Sequence, residues 1–291
     1  MNTTGGSYPT TSAPSPSTTI PGGVSLLGDQ PVLAVKIDNT SGARPRVGLD
    51  AADIVYVEPV EAGLTRLLAV FASKMPPEVG PIRSARESDA TILGNYGRVA
   101  FAYSGASSIS AAAIAKGPQV NVSMDSGGVG YRRERSRKAP YNVMGDTAAL
   151  LTRAGGSSPA GDIGFHVGSA DPSARAATTV STAYSLARFL FTWDGARGRY
   201  VVSTDGRPEV TPAGAPITTA TILVQMVRTR PSANRDVNGI ATPVIEVVGT
   251  GAVRLLRGGQ VTEGTWSRPT AAEPTRLTGP SGAELTMAPG P

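Results

Sequence analysis

Apolar residues along this chain fall in short runs rather than in long helical stripes. Residues 32–37 are a run containing β-branched side chains, which predicts a strand. Residues 53–58 alternate, with Ile54, Tyr56 and Glu58 on one side and Val55 and Val57 on the other. Residues 64–72 are a second apolar run, and the break at 59–63 predicts a hairpin or bulged pair. Residues 99–103 predict another strand, leading into the small-residue loop Ser104-Gly105-Ala106-Ser107. A helix over 108–115 follows and stops at Gly117-Pro118. Ser84-Ala85-Arg86-Glu87 has the form of a capping box and predicts a helix over 85–93, with Ser84 accepting from the Glu87 amide. Asp146 is placed to cap a helix that runs through Arg153 and ends at Gly155-Gly156.

From about residue 176 the texture changes. Short strands are predicted at 186–193, 200–203, 219–227, 244–248, 252–256 and 260–265. Asp194-Gly195 and Asp205-Gly206 are hairpin signals. Residues 182–187 carry the one helix signal in this half. The expected fold class is therefore α+β. An N-terminal α/β domain with a mixed sheet occupies residues 24–160, and a mainly antiparallel β domain occupies 176–291. Residues 1–23 are almost all Ser, Thr, Pro and Gly and cannot bury enough apolar surface to offset ordering, so they predict a disordered tether.

Composition narrows the chemistry. There is no cysteine among the 291 residues, which excludes disulfides, thiolate metal sites and thiol nucleophiles. With a single histidine, His166, a His-rich metal centre is impossible, and His166 itself predicts a packed residue. Neither a metal nor a cofactor is expected. The net charge of +5 suits polyanionic partners such as anionic lipid or a phosphate-bearing wall polymer. Nucleic acid is not expected, because no reading module or aromatic platform accompanies the basic loop of Arg132, Arg133, Arg135, Arg137 and Lys138. No stretch approaches the roughly 18 apolar residues of a membrane span. Met1 leads straight into polar residues, so no signal peptide is read here.

Several polar positions are candidates for a site. Arg83 and Arg86 beside a helix start either hold a phosphate or carboxylate or pair with Glu58, Glu61 or Asp89 inside the fold. Glu58 and Glu61, with Thr65 and Arg66 close behind, either perform acid–base work, hold a hard cation or form a structural network with the arginines. Ser104 follows a strand as a nucleophile would, but the elbow pattern is absent, and a tight turn facing a ligand is the simpler expectation. The full candidate set is Asn39, Arg44, Glu58, Glu61, Thr65, Arg66, Arg83, Ser84, Arg86, Asp89, Ser104, Ser107 and Asn142.

The order of motifs resembles a known family. Asp38-Asn39, Ala43-Arg44-Pro45, Gly48-Leu49 and Ala52-Asp53-Ile54-Val55-Tyr56 come first. Gly63-Leu64-Thr65-Arg66, Gly80-Pro81-Ile82-Arg83-Ser84-Ala85-Arg86 and Arg137-Lys138-Ala139-Pro140-Tyr141-Asn142 follow. Together with Glu263-Gly264-Thr265-Trp266 and Pro274-Thr275-Arg276, they resemble the YerB-like family of bacterial lipoproteins, a family of unknown function. The resemblance implies an extracytoplasmic, lipid-anchored protein. A cell-wall polymer or a membrane protein is the expected partner. The expected function is binding of a polar or anionic envelope ligand. The alternatives are a glycan hydrolase or transferase using Glu58 or Glu61, and a scaffold for wall synthesis. Two residues depart from the family pattern: Arg46 stands where glutamine is usual, and Ala62 where glycine is usual. The pattern would also continue past Pro291 into one more strand.

Overall fold

The computed structural model describes residues 24–290 apart from Gly156 and Val237. The tether expected at 1–23 lies outside the described residues. Five strands build the first sheet: β1 (Leu33–Asp38), β2 (Ile54–Pro59), β3 (Thr65–Phe71), β4 (Ala100–Ala102) and β5 (Val120–Asn121). Their order is β2-β3-β1-β4-β5. The β1–β3 and β2–β3 pairs are antiparallel, whereas β4 runs parallel to β1 and β5 parallel to β4. The sheet is therefore mixed, as its sequence predicts.

Every residue of β1 is buried. A strand covered on both faces reads as a continuous apolar run, which is the pattern at 32–37. Leu33, Val35 and Ile37 pack on one face with Leu67, Ala69 and Phe71. Ala34, Leu68 and Val70 pack on the other with Tyr96, Phe101, Ile245, Trp266 and Met287. That second cluster draws side chains from both halves of the chain, so the two halves share a core.

Three α-helices among the described residues accompany the sheet: α1 (Glu87–Ile92), α2 (Ser108–Ala115) and α3 (Thr147–Ala154). Two begin as the sequence predicts. Ser107 caps α2 by accepting from the Ser110 amide at 3.2 Å, and Asp146 caps α3 by accepting from the Ala149 amide at 2.9 Å. Gly155 then takes the left-handed conformation that closes α3, at φ 49°.

The Ser84 capping box does not form. Residues 83–85 are tied into extended structure: the Arg83 amide donates to the Lys36 carbonyl at 2.8 Å, and the Ala85 amide to the Gly105 carbonyl at 2.9 Å. Helix α1 starts two residues late, and Asp89 accepts from the Arg86 amide at 2.6 Å in the role expected of Glu87. Six residues of helix are too few to supply the phosphate-binding terminus that the sequence suggested.

The second half is antiparallel. Strands β6 (Thr179–Tyr184), β7 (Ala187–Asp194) and β8 (Arg199–Thr204) form a meander. The helix signal at 182–187 is overridden, because Thr179–Tyr184 pairs residue by residue with β7 and so satisfies its backbone in the sheet. Asp205 and Gly206 turn the chain at φ 54° and 75°, the mirror-image hairpin expected of Asp-Gly. A second sheet follows through β9 (Thr221–Gln225), β12 (Gly249–Arg257) and β13 (Gln260–Arg268), with β9 at its edge. Between them β10 (Arg228–Arg235) and β11 (Ala241–Glu246) form a separate ribbon that lies against α1.

Candidate functional site

The functional candidates gather where β1, β2 and β3 end. Asp38, Arg66 and Glu58 are cross-strand neighbours on one face of the sheet, with Lys36 two residues before Asp38 on the same face. Helix α1 and the segment before it cover this face and bring Arg83, Arg86 and Asp89.

A buried ion cluster forms the floor. Lys36 Nζ donates to Glu58 Oε1 at 2.7 Å and to Asp89 Oδ1 at 2.6 Å. The apolar run around Lys36 concealed this residue, although a charge inside a strand buried on both faces is itself a signal. Burial raises the Glu58 carboxyl pKa, the adjacent Asp89 carboxylate adds to the rise, and Lys36 opposes both. Glu58 Oε2 has no hydrogen-bond partner among the described residues.

Glu61 has a different environment. Its Oε2 accepts from Arg86 at 2.7 Å, and its Oε1 accepts from the Thr242 hydroxyl of β11. Burial works to raise its pKa, but the hydrogen bonds from Arg86 and Thr242 and the Arg86 charge hold it at about 2. A carboxyl ionised throughout the neutral range cannot be a general acid there. Glu58 and Glu61 thus belong to separate ion networks and do not form a shared acid–base pair.

Three guanidinium groups stand above this floor. Arg83 donates to Asp38 Oδ2 at 2.7 Å, and Arg86 is bound to Glu61. Arg66 donates to the Ser84 carbonyl at 2.9 Å and has no carboxylate partner among the described residues. Burial pulls its pKa down to about 9, and the Arg86 and Arg83 charges pull in the same direction. Arg66 stays charged at neutral pH. Arg86 Nε is buried and unpaired, whereas a quarter of the Arg83 side chain remains exposed, opening the cluster to solvent. The loop at Ser104 runs alongside, with its amide donating to the Arg83 carbonyl at 3.0 Å.

Asn39 and Thr65 complete one side. Asn39 Nδ2 donates to Thr65 Oγ1 at 2.7 Å, and Asn39 Oδ1 accepts from Arg46. Arg46 is almost fully buried, also donating to the Asp38 carbonyl at 2.9 Å and to Glu209 of the second half. Three candidates do not join the cluster. Arg44 turns away to Asp205 and Glu209, at 3.0 and 3.2 Å. The Ser107 hydroxyl is spent on the α2 cap. Asn142 accepts from Arg133 at 3.1 Å. The basic loop is also partly neutralised, since Arg132 pairs with Glu78 and Glu134. His166 is half-buried between Glu284 and Asp162, as a packed residue.

Glu209 and Thr242 carried no signal in the sequence. They lie 163 and 181 residues from Arg46 and Glu61, their partners, and only the packing of the two halves brings them in. Further clasps join the halves: Arg230 to Glu87 at 3.0 Å, the Ile245 amide to the Ser88 hydroxyl at 2.9 Å, and Arg268 to the Thr91 carbonyl at 3.0 Å.

Fold and cluster together define an α+β protein of two joined modules, with an arginine-rich polar centre beside the junction. The chain belongs to the family described as a protein of unknown function, DUF3048. The family's N-terminal domain matches residues 18–160, and its C-terminal domain matches residues 179–291. A Bacillus subtilis relative named "Putative lipoprotein YerB" is 47% identical over 64 residues, 22% of this chain and 19% of that protein's length. The crystal structure of the YerB protein from Bacillus subtilis has the same fold, with a TM-score of 0.75 over 91% of this chain and 89% of that one, at 24% identity. No helix among the described residues is long and apolar enough to cross a membrane.

Proposed function

We propose that this is an envelope protein, held to the membrane by a lipid as its relative's name suggests, and that it binds a small anionic group at Arg66, Arg83 and Arg86. Arg66 carries the reading: a largely buried guanidinium, crowded by two others, with only a carbonyl oxygen to receive its charge. Asp38 and Glu61 pair directly with Arg83 and Arg86 and act on Arg66 only as nearby charges, so Arg66 has no carboxylate bonded to it among the described residues. A phosphate or carboxylate would satisfy the free donors of such a fork. The envelope setting makes a phosphate-bearing wall polymer or a lipid headgroup the source of that anion.

Thermal unfolding in phosphate, compared with chloride at equal ionic strength, tests the site. Phosphate at 20-fold its Kd raises the midpoint by about 2–4 °C in the native chain. The Arg66→Leu variant loses that increment. Equal midpoints in the two salts, or an increment that survives Arg66→Leu, would sink the proposal.

A further inference from the structure

The parallel strands of the first sheet, β1, β4 and β5, are neighbours, so their carboxyl ends lie on the same side. Ligands of open α/β sheets bind outside the carboxyl ends of such strands. Residues 83–85 lie across these ends. The Arg83 amide donates to the Lys36 carbonyl of β1, and the Ser104 amide, just after β4, donates to the Arg83 carbonyl. Arg66 and Arg86 both donate to the Ser84 carbonyl, at 2.9 and 3.2 Å. The arginine cluster therefore adjoins the loop that leaves β4.

That loop and the one after β5 add a second kind of chemistry. A Cβ placed on Gly105 would lie 3.6 Å from Ser84 Oγ and 3.7 Å from Asp125 Oδ2, and would meet nothing closer among the described residues outside its own chain neighbours. Gly105 does not take the left-handed φ that favours glycine. Neither backbone nor packing therefore asks for a missing side chain here. Its absence leaves an open notch between a hydroxyl and a carboxylate. Ser84 and Gly105 are half-buried and Asp125 is exposed, so the notch is reached from solvent. The turn that carries Asp125 is held in place. The Met124 amide donates to the Tyr103 carbonyl at 2.9 Å, and Arg153 donates to the Ser123 carbonyl at 3.0 Å and the Ser126 hydroxyl at 2.9 Å. Arg153 spends its donors there and on the Val129 carbonyl, and forms no ion pair with Asp125.

We infer that the anion held at Arg66, Arg83 and Arg86 is the phosphate of a polyol or sugar, whose hydroxyl groups enter the notch at Gly105 and bond to Ser84 and Asp125. The inference rests on the anion site proposed above and names the class of molecule that site takes. A carboxylate accepts hydrogen bonds from hydroxyls and repels a second anion, so Asp125 selects hydroxyls against a further phosphate. The Ser84 hydroxyl both donates and accepts. Ser84 also touches both parts of the site, with its carbonyl on Arg66 and Arg86 and its hydroxyl at the notch, so a short molecule spans them.

Titration calorimetry on the full chain compares sn-glycerol 3-phosphate with propyl phosphate, which has the same carbon chain and no hydroxyls. The native chain binds glycerol 3-phosphate about tenfold more tightly. Gly105→Ala fills the notch at a φ open to alanine, and Asp125→Ala removes the exposed acceptor. In each variant the ratio of the two affinities falls to about one. Phosphatidylglycerol vesicles present the same group on a lipid. Sedimentation with them that glycerol 3-phosphate reverses supports the inference with a headgroup as the source. No sedimentation beside tight glycerol 3-phosphate binding supports it with a soluble or polymer-borne source. Equal affinities of the native chain for the two esters overturn this inference and leave the anion site standing. Binding of neither ester, with unchanged unfolding midpoints in phosphate, removes the anion site and this inference with it. A tenfold ratio that survives either variant also overturns it, and if Gly105→Ala does not unfold cooperatively, Asp125→Ala decides alone.

Discussion

Lys36 and Asp89 form an ion pair at 2.6 Å in which neither side chain has any solvent exposure. Lys36 also holds Glu58, so one ammonium serves two buried carboxyl groups. Removing a single member of such a cluster leaves charge without a partner, which costs about 3–5 kcal/mol. Lys36→Met should destabilise the chain by that amount in urea unfolding. Lys36→Met combined with Asp89→Leu should regain part of the loss, since neither Lys36 nor Asp89 is then charged. A single variant as stable as the native chain would show that the cluster carries no net strain when broken.

Glu61 predicts an acid limb to stability. Its folded pKa, about 2, lies below the ordinary carboxyl value. The unfolded state therefore binds the proton more tightly, and the stabilisation present above about pH 4.5 is lost as pH falls toward 2. The loss is on the order of 2–3 kcal/mol. Glu58 has the opposite sign. Its raised pKa means the folded state holds the proton more tightly. That stabilisation is complete below the unfolded carboxyl value and fades as pH rises through the folded one. Unfolding free energies from pH 2 to 9 would show both limbs, and Glu61→Gln should flatten only the acid one.

Arg66 separates stability from binding. Its charge is desolvated beside Arg83 and Arg86. Replacing it with Leu relieves that repulsion and frees only one carbonyl bond. Arg66→Leu should leave stability within about 1 kcal/mol of native, or raise it. A loss of more than about 3 kcal/mol in denaturant unfolding would make Arg66 a structural residue instead.

Ala62 sits at φ 58° and ψ 20°, in the left-handed region. An L side chain there costs about 1 kcal/mol, a cost that glycine avoids. Gly63 follows at φ 73°, where an added Cβ would lie 2.5 Å from Ser185 Cβ. Ala62→Gly should raise stability by up to about 1 kcal/mol, and Gly63→Ala should lower it by more. Equal midpoints for Ala62→Gly and the native chain would show that the turn already absorbs the strain.

Local chemistry in the sequence settled much of the fold. The alternation at 53–58, the cap at Asp146 and the turn at Asp205-Gly206 each depend on neighbours within a few residues. Their physics is complete without the rest of the chain. The sequence also picked out Glu58, Glu61, Arg66, Arg83, Arg86 and Asp89, which do converge. Tertiary structure decided what they do. The Ser84 box failed because its backbone was claimed by Lys36 and Gly105 from other strands. Arg66 is left without a bonded carboxylate among the described residues because Asp38 and Glu61 pair directly with its neighbours. Thr242 and Glu209 reach the site from the second module. Ion pairing and burial are competitions among groups distant in sequence, and their outcome is set by packing rather than by any local pattern.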